Sequence, residues 1–441
     1  MNIEQLYQLY QQYPSVQTDT RKLKKGDIFF ALKGDNFNGN RFAAQALEAG
    51  AAYAVIDEAP STGSGQAQGS GPNDRMILVK DVLATLQQLA KHHRQQFNIP
   101  FLAITGSNGK TTTKELVHAV LSTTWKTYTT EGNLNNHIGI PLTILRVKKD
   151  AQMAVVEMGA NHLHEIAGYC EYTLPTHGII TNAGKAHLEG FGGVEGVRRG
   201  KGELFDWLRT HDGTAFIMAD YDYLHDMSRG IREVITYGTK DAAITGIAAK
   251  SESLLGVEVT KGISPGIIHT QLVGGYNLPN VLAAIAVGHY FKVADEKIKQ
   301  AIEAYAPSNS RSQLIEQDTN KIVLDAYNAN PSSMRAAIEN FARLDAPSKV
   351  LMLGGMAELG KESLAEHQAI IDLIGQYKWK QVLLVGGDFA KLQHAYIQFD
   401  NAVQAGQWFR QQSLHNTAVL IKGSRSMQME KVLSVPLQQN H

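Results

Sequence analysis

Short apolar runs of strand length recur through the middle of the chain, at 101–105, 153–157, 178–182, 215–218 and 234–237. The segments between them carry apolar residues at helical spacing, including one that opens at Lys110. Strands that alternate with helices predict a parallel sheet covered on both faces. The pattern changes over 243–275, where short strands and Gly or Ser-Pro turns predict an antiparallel excursion, and 278–291 and 295–305 read as helices. Upstream, a short opening helix precedes a turn into a buried strand at 26–32. A helix at 41–49 and strands at 52–57 and 76–79 follow. Asp81 then caps a helix carrying Val82, Leu83, Leu86, Leu89 and Ala90 at helical spacing. The stretch STGSGQAQGSGP at 61–72 reads as a surface loop rather than a linker, because a strand resumes at 76.

Downstream, strands at 321–325, 349–353, 381–385 and 418–422 alternate with helices, and Asn330-Pro331 is a good helix start. Breaks at 98–100 and 306–309 give three segments, 1–98, 99–308 and 309–441. The predicted class is α/β, with a small first domain, a central parallel-sheet domain and a doubly wound Rossmann-like third.

Composition narrows the function. The chain has 441 residues, and Lys+Arg and Asp+Glu balance at 42 each, so no basic excess points to nucleic acid or an anionic membrane surface. The lone Cys170 excludes an internal disulfide and fits a reducing compartment. The polar start and the lack of a spanning apolar run predict a cytoplasmic protein with no membrane insertion.

The most specific motif is Thr105-Gly106-Ser107-Asn108-Gly109-Lys110-Thr111, directly after a strand and opening a helix. Gly106 and Gly109 let the backbone turn so that successive N–H groups face one anion. The helix N-terminus adds positive potential. Lys110 can reach outer phosphates and Thr111 can hold Mg²⁺, so the loop predicts a nucleoside triphosphate. It departs from the common phosphate loop in having Ile104 where a glycine is usual.

Other polar residues sit at strand ends, where open α/β sheets collect ligands. Glu157 ends one such strand and suits Mg²⁺, and His187 follows another. Taken alone, a histidine such as His187 is more often a structural or surface residue. His162 and His164 have no further Cys or His at ligand spacing and read as surface residues. Lys201 reads as a solvated lysine just before a helix, and Asn277 as a helix N-cap. Asp325, Asn328 and Asn330 form a polar strand end, matched by Lys422-Gly423-Ser424-Arg425. Near the N-terminus, Thr18-Asp19-Thr20-Arg21 and Lys33-Gly34 form a further polar cluster that suits a phosphate-bearing ligand or solvent equally.

Together these segments resemble the Mur ligase family of peptidoglycan synthesis. The resemblance rests on TGSNGKTTTKE, EGNLNNHIGIPLT at 131–143, VVEMGANH at 155–162, TNAGKAHLEGFG at 181–192, GKGELF at 200–205 and YNLPNVLAA at 276–284. TDTRKLKKGDIFFALKGDNFNGN at 18–40, DAYNANPSSM at 325–334, LGGMAELG at 353–360 and KGSRSMQMEKV at 422–432 are similar to members that join D-alanyl-D-alanine to UDP-N-acetylmuramoyl-tripeptide. The departure at Ile104 is shared by the family. Asn38, Asn40 and Gly355 stand where Asp, His and Asp are usual.

The resemblance implies an ATP-dependent amide ligase; a monomer is expected. Its UDP-sugar-binding domain would be 1–98, its ATP-binding domain 99–308 and its Rossmann-like domain 309–441. It implies that Thr105, Gly106, Ser107, Asn108, Gly109, Lys110 and Thr111 hold ATP, with Asn277 at adenine, Arg311 near phosphates and Asp325 near ribose. Thr111, Glu157 and His187 would serve Mg²⁺. Lys110, His187 and a carbamylated Lys201 would serve catalysis, and Thr20, Arg21, Lys33, Gly34 and Asn328 the substrates.

Overall fold

The computed structural model describes residues 1–59, 74–249, 254–264, 266–308 and 310–434. The loop expected at 61–72 lies outside the described residues. The chain divides into two compact units: one comprises 1–103, 126–159 and 165–176, the other 104–125, 160–164 and 177–441.

The first unit holds a four-stranded sheet in the order Val16–Gln17, Ile28–Phe30, Tyr53–Ile56, Met76–Leu78, parallel throughout. The apolar run Ile28–Phe30 is buried on both faces, as a parallel strand requires. Phe29, Ala31, Ala46, Ala54 and Ile56 share its core. Helix Ile3–Gln12 starts on a capping box between Asn2 and Gln5. Helix Val82–Arg94 starts where Asp81 accepts from the Ala84 N–H at 2.8 Å. At its other end Arg94 is buried and donates to the carbonyls of Thr173, Leu174 and Phe97, each at 2.9 Å. Its guanidinium lies 3.9 Å from the Phe101 ring centroid. Strand Met153–Glu157 pairs in parallel with Thr127–Thr129, a short strand that lacks an apolar run.

In the second unit the strand order is Gly266–Val273, Leu254–Lys261, Ile244–Ala249, Glu233–Gly238, Thr214–Met218, His177–Ile180, and then the end of Phe101–Thr105. Pairing is parallel from His177–Ile180 out to Ile244–Ala249, and antiparallel beyond it, as the turn chemistry of 243–275 predicts. Helix Leu278–Tyr290 packs on helix Lys110–Ser122 and is buried almost all round, which explains its nearly unbroken apolar run Val281–Val287.

The same unit contains a six-stranded sheet in the order Gln313–Gln317, Asn320–Asp325, Thr417–Lys422, Ser348–Gly354, Gln381–Val385, Ile397–Phe399. All its pairs are parallel except the first. Ile322, Val350, Met352, Leu383, Val419 and Ile421 fill its core. Helix Pro331–Arg343 begins at Asn330, which exchanges capping bonds with Ser333. Among the described residues no helix is long and apolar enough to cross a membrane.

Candidate nucleotide site

Strand Phe101–Thr105 is fully buried, and the chain leaves it through the Gly106 turn into helix Lys110–Ser122. Gly106 has φ +145° and Gly109 φ +80°, conformations that disfavour side chains. Each glycine is also hemmed in. A Cβ on Gly106 would collide with the Thr181 hydroxyl, and one on Gly109 would meet Asn280 Oδ1 at 2.5 Å.

The loop between the glycines is held by the strand-end segment 181–184. Ser107 N–H donates to Asn182 O at 2.9 Å, and Asn108 N–H to Asn182 Oδ1 at 3.0 Å. The Thr181 hydroxyl donates to Asn108 O at 2.6 Å. The Ser107 hydroxyl bridges the Gly184 N–H and C=O, 3.0 Å from each. Lys110 folds back so that Nζ donates to Gly106 O at 2.7 Å. A lysine in that position stands over the loop, where an anion's outer oxygens would take over its protons. Thr111, in the first turn of the helix, is buried.

Asn277 corrects one expectation. Its side chain makes no N-cap bond to helix Leu278–Tyr290. Instead its amide is used at both ends, donating to Val273 O at 2.9 Å and accepting from Asn280 Nδ2 at 2.9 Å. Asn280 Oδ1 in turn accepts from the Thr113 hydroxyl at 3.1 Å. A chain of amides therefore runs from Asn277 to the helix behind Gly109. The role of Asn280 behind the loop is not legible in a single sequence, because its partner Thr113 lies 167 residues away.

Lys201 corrects a second. It lies inside helix Val194–Thr210, not before a helix, and is 1% exposed, so it is not a solvated lysine. Its Nζ donates to Ala160 O at 2.9 Å and lies 5.1 Å from the Phe191 ring centroid. His187 has φ +51° and turns its Nδ1 onto the Glu358 carboxylate. The His187 imidazole beside it holds the Glu358 carboxyl below its usual range. His162 and His164 are exposed, as expected of surface residues.

Glu157, described within the first unit, is 1% exposed rather than solvated, and its Oε1 accepts from Asn135 Nδ2 at 2.8 Å. Among the described residues no three His, Cys, Asp or Glu side chains gather into a metal-holding group.

At the strand end of Asn320–Asp325, Asp325 accepts from Lys422 Nζ at 2.6 Å and from the Ser312 N–H at 3.1 Å. Arg311 stacks 3.6 Å from the Tyr327 ring centroid. Asn328 Oδ1 accepts from the Arg425 N–H at 3.3 Å. In the first unit, Asp19 caps the turn Thr20–Lys22, and two side-chain bonds from Arg21, at 2.9 and 2.8 Å, pull its carboxyl down to about 2. Lys33 lies 2.9 Å from Glu58 and 3.0 Å from Asp57, carboxylates that raise its ammonium above the usual range. Gly34 lies beneath the Phe37 ring in the short hairpin Lys33–Gly34 and Phe37–Asn38. Asn38 and Asn40 bond to each other and to Glu58 and Asp57, so their amides close this corner.

A phosphate loop of this form, within a parallel sheet and followed by a second Rossmann-like sheet, defines a class of nucleotide-dependent enzymes. Three family models match the chain: "Mur ligase family, catalytic domain" over 12–94, "Mur ligase middle domain" over 104–288, and "Mur ligase, glutamate ligase domain" over 310–425. The chain belongs to the Mur ligase family, and has its three-domain α/β architecture. It is 35% identical to the UDP-N-acetylmuramoyl-tripeptide--D-alanyl-D-alanine ligase of Bacillus subtilis, covering 95% of this chain and 92% of that protein. It is 36% identical to the Escherichia coli protein of the same name, with 97% and 94% covered. Among solved structures it is similar to MurF from Acinetobacter baumannii, with a TM-score of 0.85, 27% identity and 97% of each chain covered. MurF ligase from Thermotoga maritima in complex with ADP gives a TM-score of 0.83 at 25% identity, covering 95% of this chain and 96% of that one.

Proposed function

We propose that this chain is an ATP-dependent ligase that joins D-alanyl-D-alanine to UDP-N-acetylmuramoyl-tripeptide in peptidoglycan precursor synthesis. The observation that carries the reading is identity of 35–36% to ligases of that name over at least 95% of this chain. The phosphate loop at Thr105–Thr111 supports ATP as the energy source.

The reaction runs in two steps. The terminal carboxylate of the tripeptide attacks the γ-phosphorus of ATP, forming an acyl phosphate and releasing ADP. The free amine of D-alanyl-D-alanine then attacks the acyl carbon, loses a proton, and expels inorganic phosphate as the amide forms. Two anions must meet in the first step, so the site has to supply positive charge. Lys110 is assigned to the outer phosphates, and the N–H groups of Gly109, Lys110 and Thr111 to the remaining oxygens, because those of Ser107 and Asn108 are held by Asn182. Asn277 is assigned to adenine, Asp325 to ribose and Arg311 to phosphate.

For Mg²⁺, the proposed donors are the Thr111 hydroxyl, the Glu157 carboxylate and His187. Two of the three offer hard oxygen, which fits this ion. When bound, Mg²⁺ supplies charge neutralisation of the phosphate oxygens. Lys201 is assigned as the carbamylated lysine, a reading supported by its burial within helix Val194–Thr210. Thr20, Arg21, Lys33, Gly34 and Asn328 are assigned to the UDP-linked donor and the dipeptide. The proposed domains are 1–98, 99–308 and 309–441, acting as a monomer in the cytoplasm on these two substrates.

A screen of the purified protein with ATP, Mg²⁺, UDP-N-acetylmuramoyl-tripeptide and a panel of amines tests the reading. Phosphate release should require D-alanyl-D-alanine. Equal turnover with a diamino acid offered to the UDP-linked dipeptide, or phosphate release without an acceptor, would overturn it.

A further inference from the structure

The phosphate loop is bonded from one side by segment 181–184. From the other side it is touched by the start of helix Pro331–Arg343. Asn330 Nδ2 donates to Asn108 Oδ1 at 2.8 Å, across 222 residues of sequence. Next to it, the Ser332 hydroxyl accepts from the Lys185 N–H at 3.1 Å. A Cβ on Gly184 would stand 3.0 Å from that same hydroxyl, so the two backbones are in close contact. Further along, Lys185 Nζ pairs with Glu366 at 2.5 Å. The helix start thus engages both the phosphate loop and the segment that holds it.

Asn330 does two jobs with different atoms. Its Oδ1 caps the helix, accepting from the Ser333 N–H at 2.9 Å, while its Nδ2 reaches the loop. The cap alone would be satisfied by Ser, Asp or Thr. Only an amide of this length both caps and donates. Asn108, for its part, has its N–H and C=O fixed by Asn182 and Thr181, so the side chain is aimed by a rigid backbone.

We propose that Asn330 is a positioning residue of the nucleotide site, coupling the third-domain helix Pro331–Arg343 to phosphate-loop geometry through Asn108. This deepens the ligase reading and rests on it for the identity of the nucleotide. Binding a nucleotide at the loop then favours the arrangement in which the helix start is docked, and an undocked helix weakens nucleotide binding by the same factor.

The test is Asn330→Ser, which keeps an N-cap but is too short to reach Asn108, combined with Asn108→Ala in a double-mutant cycle. ADP affinity is read by titration calorimetry on the full chain, alongside affinity for the UDP-linked donor and the melting temperature. One neutral hydrogen bond corresponds to an ADP affinity about three- to tenfold weaker. The expectation is that loss in Asn330→Ser, with donor affinity and melting temperature unchanged. The double variant should be no weaker than Asn108→Ala alone. Wild-type ADP affinity in Asn330→Ser, or additive losses in the cycle, would overturn the proposal. If the wild-type chain binds ADP but does not ligate D-alanyl-D-alanine, the ligase reading fails while the ADP cycle still decides the coupling.

Discussion

Asn280 closes over Gly109 so tightly that a single added carbon on the glycine would stand 2.5 Å from its Oδ1. The contact ties the turn before Lys110 to the buried helix Leu278–Tyr290. Two constraints act on Gly109 at once: a φ of +80° and no room for a side chain.

Gly109→Ala should therefore weaken ATP binding by more than tenfold, since the left-handed conformation alone costs an alanine about 1–2 kcal/mol. Adding Asn280→Ala should relieve the clash and recover only part of the loss. Nucleotide titration of the two variants measures this, and full recovery in the double variant would show that φ contributes nothing.

Lys110→Ala should lower ATP-dependent phosphate release by at least about a hundredfold, the scale seen when one donor to transition-state charge is removed. Near-normal release would remove Lys110 from the phosphates.

Lys201→Ala should lower activity, and added bicarbonate should not restore it. In the unmodified sequence, activity should fall in CO₂-depleted buffer and return with bicarbonate. A bicarbonate-independent wild type would reduce Lys201 to a packing residue.

Arg94 joins three carbonyls at the end of its helix and is 6% exposed. Arg94→Ala leaves those acceptors buried and should cost about 3 kcal/mol or more. Arg94→Lys should recover little, because one ammonium cannot span the same fork. Denaturant unfolding of both variants is the measurement.

Acid should destabilise the second unit through His177. Burial pushes its imidazole down to about 4, among the rings of Phe216, Tyr290 and Phe291. The folded state resists protonation while the unfolded chain takes up a proton near the ordinary value of about 6.5. Between those values the unfolded state binds more protons, so stability rises with pH and is lost as pH falls from about 6.5 towards 4. His177 alone contributes roughly 3 kcal/mol over that window. Burial also lowers His367, in the same unit, which adds to the same slope. His177→Phe should flatten the pH dependence of the melting temperature, and an unchanged slope would exclude His177 as its source.

Local order was legible wherever one period dominated. The apolar run at 101–105, the cap at Asp81 and the Asn330-Pro331 start each produce the expected element, because a buried strand or a capped helix is specified by neighbours in sequence. Strands Thr127–Thr129 and Gln313–Gln317 escaped notice because neither is an apolar run; the sheet beside them, not their composition, makes them strands. The phosphate loop was legible because glycine, lysine and threonine must sit at fixed offsets to wrap one anion.

By itself the sequence determined that this is an α/β chain with a phosphate loop, and its motifs placed it with the Mur ligases. Only the tertiary structure decided what lies around that loop. Lys201 is buried within a helix, the Asn277 amide is committed to Val273 and Asn280, and Asn330 reaches Asn108 from 222 residues away. Such contacts depend on where the chain returns in space, and a hydrogen bond between distant residues leaves no period or spacing in the sequence to read.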